Sequence, residues 1–299
     1  MSTIIANGKL LISGEYLILN GAKSLALPCN FNQSLEFHSE KSIYLHWHSY
    51  DNNKKKWFNA NFHISNMDLA SSSDHKTGKW LEHILKTALK IAKKNPLTGG
   101  TIKTFLSFPR DWGLGSSSTL ISNIATLFKI DPYKLHFSST NGSGYDIACA
   151  TNNQPILYQL KEKSPIVETI PWQPPFAEEI NFIHLNKKQK SHKEISRYKK
   201  TKVNRSTVKE ISSLTLSLTT CSNLNEFEEI LTEHEKITGN CINQRPIKES
   251  YFSDYEGAIK SLGAWGGDFI LATRNNINYF ENKGFSTILK YKEMVKSNL

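Results

Sequence analysis

Short β-rich runs early in the chain, amphipathic helical patterns late in it, and no strict alternation of the two predict an α+β protein. In the middle, an apolar run, a glycine-rich turn with three serines and a second apolar run read as strand, loop and helix start, the local layout of an anion site. With 299 residues the chain is long enough for two domains. The division is expected at 1–165 and 166–299, near the rigid stretch Ile170-Pro-Trp-Gln-Pro-Pro175.

Taken in order, strands are expected at Thr3–Ala6, Leu10–Ser13, Ser34–His38, Ile43–His48 and Trp57–Ile64, the last two joined by the polar hairpin Tyr50–Lys56. Ser71–Gly78 reads as a loop into a helix that places Leu81, Ile84, Leu85, Ala88 and Ile91 on one stripe, and Asn95-Pro96 stops it. A strand over Thr101–Phe108 leads into the serine loop and a helix running to about Phe128. Asp146–Ala150 opens a helix and Ile156–Leu160 is a strand. Beyond the proline-rich stretch the pattern is mainly helical, clearest at Arg205–Cys221 and at Asn225–Gly239, where Gly239 reads as the stop. Strands at Asn181–Leu185, Phe269–Thr273 and Thr287–Lys290 complete the second half.

Composition narrows the function classes. A hydrophobic share of 38% with 21% charged residues is that of a globular protein, not a disordered one. No apolar run reaches the roughly 20 residues that span a bilayer. The first apolar stretch is broken by Lys9 and Glu15 and lacks a secretory layout. Cys29, Cys149, Cys221 and Cys241 are scattered without a C-x-x-C pair, which argues for reduced thiols, a cytoplasmic location and no zinc site. The formal net charge of +10 comes mostly from lysines. Without zinc-finger spacing or a basic-aromatic string, it suits ATP and an acidic metabolite at least as well as a polynucleotide. The expected partner is therefore a small anionic metabolite, with neither nucleic acid nor membrane. The oligomeric state is not legible.

The chemistry concentrates in Gly113-Leu-Gly-Ser-Ser-Ser-Thr119. Glycines let the backbone approach a ligand closely. The first N–H groups of a helix lack internal partners and sit at its positive end. Serine hydroxyls add donors for phosphate or hydrated Mg²⁺. The segment is neither a Walker P-loop nor G-x-G-x-x-G. Alone, it is equally a Gly/Ser turn with a serine cap.

Three further segments stand in order around it: Gly8-Lys-Leu-Leu-Ile-Ser-Gly-Glu-Tyr16, Gly142-Ser-Gly-Tyr-Asp-Ile-Ala148 and Gly263-Ala-Trp-Gly-Gly-Asp268. Together the four resemble the ordered motifs of the GHMP kinases, and Gly144–Ala148 resembles the signature of a GYDIA subgroup. The resemblance implies an N-terminal α/β domain, a C-terminal ferredoxin-like domain, and an ATP-dependent kinase that uses Mg²⁺. The Gly14-Glu-Tyr16 and Gly142-Ser-Gly-Tyr-Asp146 variants look most like phosphomevalonate and mevalonate kinases. Transfer of the γ-phosphate of ATP to mevalonate or phosphomevalonate is therefore expected. The alternatives are another GHMP kinase, an ATP-dependent decarboxylase, or a catalytically silent binding protein of this fold.

The resemblance also assigns roles. Gly113, Leu114, Gly115, Ser116, Ser117 and Ser118 would cradle the phosphates, with Gly266 and Gly267 closing the site. Ser117 would touch Mg²⁺, or would simply cap the helix. Asp146 would take or orient the acceptor proton, and Lys9 would hold Asp146 ionised and stabilise transferring charge. Glu15 would face the substrate or pair structurally. Ser191, His192 and Lys193, within the basic run Lys187–Lys193, would meet an anionic substrate, unless that run is a solvated basic face. Two departures stand out. Trp265 occupies a position where the family usually has glycine. The connection from Ile130 to Ser143 also offers no glutamate as a second metal ligand.

Overall fold

A computed structural model describes residues 3–187, 198, 203–265 and 267–296. In chain order the strands and helices begin β1 (Thr3–Leu11), β2 (Ser24–Ser39), β3 (Tyr44–Tyr50), β4 (Lys56–His63), β5 (Leu69–Ser72), α1 (His75–Ala92), β6 (Gly100–Leu106) and α2 (Ser116–Phe128). They continue with α3 (Pro132–Ser139), α4 (Tyr145–Thr151), β7 (Ile156–Lys161), β8 (Ser164–Thr169), β9 (Asn181–His184), α5 (Arg205–Thr220) and α6 (Leu224–Ile242). The last are α7 (Ile247–Tyr251), β10 (Ile259–Ser261), β11 (Phe269–Ala272), α8 (Ile277–Asn282), β12 (Ile288–Lys290) and α9 (Tyr291–Met294).

The residues form two compact units. The first comprises 1–8, 31–110 and 114–151; the second comprises 9–30, 111–113 and 152–299. Both β1 and β2 run from one unit into the other.

In the first unit the strand order is β5-β4-β3-β6-β2, with β3 and β6 parallel and the other neighbours antiparallel. Alternate residues of β3 and β4 are buried, so Leu45, Trp47, Phe58, Ala60 and Phe62 face one side. There they meet Leu81, Ile84, Leu85 and Ala88 of α1, Leu120, Ile121 and Ile124 of α2, Leu135 of α3 and Ile147 of α4. The stripe expected on α1 thus faces the core. Its start lies within the expected loop, because the Asp74 side chain accepts a hydrogen bond from Thr77 N (2.8 Å) and caps the helix early.

In the second unit, β7 pairs with the start of β2 and with β8. A separate antiparallel sheet has the order β10-β11-β9-β12. Its core holds Ile183, Ile259, Ile270, Phe252 and Phe280. One element was not anticipated and one expectation is corrected. The connection from Ile130 to Ser143 contains α3, capped by Asp131, whose side chain accepts from Lys134 N at 2.9 Å. Gly239 does not end its helix: α6 continues to Ile242, and Asn243, at φ 54°, terminates it. A methyl group on Gly239 would lie 2.6 Å from the Gln244 carbonyl and 3.3 Å from the Trp265 ring, so close packing requires the glycine.

Candidate functional site

The serine loop forms as its sequence suggests. Gly113 and Gly115 take φ of 66° and 90°, values that strain any side-chain-bearing residue, and Gly115 is the cap from which α2 starts. The hydroxyls of Ser116 and Ser117 make no hydrogen bond among the described residues; Ser116 is half-buried and Ser117 exposed. Ser118 is different: its hydroxyl turns inward and donates to the Gly115 carbonyl at 2.8 Å. Its hydroxyl hydrogen is thereby committed, while its backbone N–H remains for a ligand.

The helix is held from behind by Gln33 of β2, a residue without a sequence signal for this task. Thr119 Oγ1 donates to Gln33 Oε1 (2.7 Å) and Asn123 Nδ2 donates to the Gln33 carbonyl (2.9 Å). All three residues are buried. In the same unit, α4 packs beside α2 and carries Asp146 in its first turn, half-buried, with Oδ1 accepting from Ile147 N at 3.1 Å. Gly144, at φ 87°, provides the turn before it.

In the second unit the third glycine motif comes up against the start of the serine loop. A Cβ on Gly113 would collide with the Asp268 carboxylate, so these two chain segments touch where only hydrogen can fit. Asp268 itself sits at φ 54°. Its N–H donates to the Lys187 carbonyl (2.7 Å), and its own carbonyl accepts from Leu185 N (2.8 Å). Trp112 meets Phe269 edge-on at 5.5 Å. His184 Nδ1 accepts from Asn186 N (3.3 Å), leaving Nε2 to donate to the Asp111 carbonyl at 3.4 Å. Trp265 is 2% exposed and packs with Tyr16, Tyr198 and Ile242. It is therefore part of a buried structural turn. Gly267 is buried. Gly266, Ser191, His192 and Lys193 lie outside the described residues, as do Lys188 and Lys190.

Lys9 belongs to the second unit and is half-buried near Cys29. Glu15 belongs there too, wholly buried, and adopts the structural pairing of its two expected arrangements. Lys260 Nζ donates to Glu15 Oε1 and to the Ser261 carbonyl (2.9 Å), and lies 3.9 Å from Glu235 Oε2. Glu235 accepts from Ser261 N (3.1 Å) and Ser261 Oγ (2.7 Å). His234 Nε2 accepts from Gly14 N (2.9 Å) and lies 3.7 Å from Glu15 Oε2. Accepting at Nε2 requires a neutral ring, consistent with burial and Lys260 holding His234 well below its ordinary value. Burial raises Glu15 to about 7 against the opposing pull of Lys260, and raises Glu235 as well. The cluster fastens the first-motif turn, where Gly14 stands at φ 86°, to α6 and to β10, the strand that leads into the third motif. Gly14 and Glu15 meet partners 219 or more positions away in sequence, so no local pattern announces the cluster.

Among the described residues, no group of three or more His, Cys, Asp or Glu side chains is placed to hold a metal. No helix among them is long and apolar enough to cross a membrane. None of the four cysteines forms a disulfide among the described residues.

Neither a protein-family profile nor a curated protein sequence matches the chain. Solved structures do. The Methanococcus jannaschii mevalonate kinase aligns over 99% of this chain and 98% of its own, with TM-score 0.71 and 14% identity. The Streptococcus pneumoniae phosphomevalonate kinase, solved with phosphomevalonate and AMPPNP, aligns over 97% and 100%, with TM-score 0.70 and 16% identity. The Lactococcus lactis galactokinase, solved with galactose, aligns over 99% and 95%, with TM-score 0.68 and 13% identity. Aligned over nearly its whole length, the chain has the two-domain mixed α/β fold of these kinases.

Proposed function

We propose that the chain is an ATP-dependent phosphotransferase whose acceptor is mevalonate or phosphomevalonate. The observation that carries this reading is the contact of Gly113 with Asp268, which joins the serine loop to the third glycine motif at a place where no side chain fits. A glycine turn that leads into a helix N-terminus suits a chain of phosphates. In this reading the phosphates lie against the backbone of Gly113, Leu114, Gly115, Ser116, Ser117 and Ser118.

The residues also fit Mg²⁺, which prefers oxygen ligands and retains waters. Ser117 offers an exposed hydroxyl with no hydrogen-bond partner among the described residues, and bound Mg²⁺ would neutralise phosphate charge there. The remaining work belongs to the chain. The N-terminus of α2 favours negative charge through its dipole. Asp146 orients the acceptor hydroxyl and takes its proton. Lys9 supplies a positive charge that stabilises the transferring group. Glu15 acts at one remove, by fixing the turn that follows the strand of Lys9. The basic run with Ser191, His192 and Lys193 attracts the anionic acceptor.

The test is ADP release from ATP with mevalonate, phosphomevalonate, galactose and homoserine in turn. Release with either mevalonate compound is expected. Release only with galactose or homoserine would reject the acceptor. No release with any of them, despite ATP binding, would reject the enzyme in favour of a silent binding protein.

A further inference from the structure

Within the second unit, α5 leaves a cavity of about 390 Å³ between itself and the chain around the start of β2. One wall is a single face of α5, on which Val208, Lys209, Ser212, Ser213 and Leu216 recur at helical spacing. The facing wall carries Lys23, just ahead of β2, and Gln159 of β7. None of these residues belongs to the four glycine motifs.

The walls are tied to each other. Ser212 Oγ accepts from Lys23 N (3.0 Å) and donates to the Val208 carbonyl (2.6 Å). Thr215 Oγ1, on the next turn of α5, donates to the Lys23 carbonyl (3.0 Å) and lies 2.9 Å from Ser13 Oγ. Gln159 Nε2 donates to the carbonyl of Gly21, which completes the facing wall (2.7 Å). A site built in advance loses little to ordering when it binds.

The cavity carries two kinds of chemistry. Lys23, half-buried, and Lys209, exposed, stand on opposite walls. Neither ammonium makes an ion pair or a hydrogen bond among the described residues, and neither does the Ser213 hydroxyl. No carboxylate lines the cavity. Glu210, next to Lys209, and Glu168, opposite Leu157 of β7, are exposed and form no part of its walls. Two uncompensated cations on facing walls favour an anion between them. Val208 and Leu216 supply an apolar strip beside these charges. Leu216 is 39% exposed, and Ile166 of β8, which stands opposite Gln159 on the same face of the sheet, is 46% exposed. Single exposed apolar side chains are ordinary on a surface, but a pair beside one cationic cavity forms the kind of patch that marks a ligand site.

We propose that this cavity binds a small amphipathic organic anion, at a site separate from the glycine motifs. The ligand's phosphate or carboxylate is held by Lys23 and Lys209, with the Ser213 hydroxyl donating to the same group. Its apolar body lies along Val208 and Leu216 toward Ile166. Small-molecule sites span roughly 300–1,000 Å³, so a volume near the lower end suits a metabolite rather than a polymer. The sequence gives no sign of the site, because Lys23, Gln159 and Lys209 come together only in the fold.

The experiment is isothermal titration calorimetry of the whole chain with phenyl phosphate, hexanoate, inorganic phosphate and hexanol. Inorganic phosphate has the charge without the apolar body, and hexanol has the body without the charge. Phenyl phosphate or hexanoate is expected to bind roughly tenfold or more tighter than either control. The tighter of the two anions identifies the head group as phosphate or carboxylate. Saturating ATP should leave that affinity unchanged. The double variant Lys23→Gln/Lys209→Gln should weaken the tighter anion roughly tenfold or more. Leu216→Gln should narrow its advantage over inorganic phosphate. Circular dichroism checks that each variant folds, and if one does not, the other decides. Binding of neither anion, an affinity no better than that of either control, displacement by ATP, or wild-type affinity in the folded variants would overturn the proposal.

Discussion

Replacing Lys260 by methionine would remove the one cation from a buried cluster that contains Glu15 and Glu235. Lys260 and Glu15 have no exposed side-chain surface, and Glu235 is 3% exposed at its side chain. Breaking a buried pair from one side typically costs about 3–5 kcal/mol, because the partner charge is left without compensation. The loss depends on pH in a definite direction. Glu15 is raised to about 7 in the folded state even beside Lys260. A carboxyl raised on folding adds stability that is complete below its ordinary value and disappears as pH climbs through the folded one. Without Lys260 that folded value climbs further, and each added unit costs about 1.4 kcal/mol at pH values above it. His234 acts in the same sense. Lys260 helps to depress it, and a depressed histidine loses stability as pH falls, so the variant is relieved of part of that loss in acid. Urea unfolding of Lys260→Met should therefore show a loss of about 3–5 kcal/mol at about pH 8 that shrinks markedly by about pH 5. Adding Glu15→Gln should recover much of the alkaline loss. An equal loss at both pH values, or less than about 1 kcal/mol at the alkaline one, would refute the reasoning.

Asp146→Asn should lower turnover by ~10²-fold or more while leaving ATP affinity nearly unchanged, checked by steady-state kinetics beside a nucleotide titration. Gly113→Ala would drive a methyl group into the Asp268 carboxylate, so ATP affinity should fall by roughly tenfold or more in a binding titration, whereas Gly113→Ala combined with Asp268→Gly should regain part of it. Gly239→Ala meets a carbonyl at 2.6 Å, which outweighs the roughly 1 kcal/mol gained from better helix propensity, and its melting temperature should drop rather than rise.

What was legible in the chain was local. The α1 stripe, the strand-to-helix turn at Gly113–Ser118 and the turn before Asp146 are each encoded by neighbours within a few residues, and they form where the pattern places them. Gly239 misled because its reason lies in Gln244 and the Trp265 ring; a glycine demanded by packing looks like a glycine that stops a helix. The α3 helix was hidden by its short length and weak amphipathicity, although Asp131-Pro132 carries a start signal. Gln33, His184, Asp268 and Lys260 escaped because each acts on a partner far along the chain. Trp265 was visible as an anomaly, but only its neighbours show that it fills a core.

The tie between Gln33 and α2 sets a tolerance. Apolar side chains packed against a sheet resist separation better than sliding, since one greasy contact exchanges readily for the next. An amide and a hydroxyl joined in a dry interior do not exchange, because a displaced donor or acceptor finds no substitute. With Thr119 and Asn123 both fastened to one residue of β2, the helix can neither turn about its axis nor advance along it without breaking two buried bonds. A shift of a single residue, about 1.5 Å along the axis, would carry the leading N–H groups off any phosphate they address. The polar pair in the core thus acts as a detent: it fixes where along its track the helix stops, and with it the position of a site at the other end of the same turn.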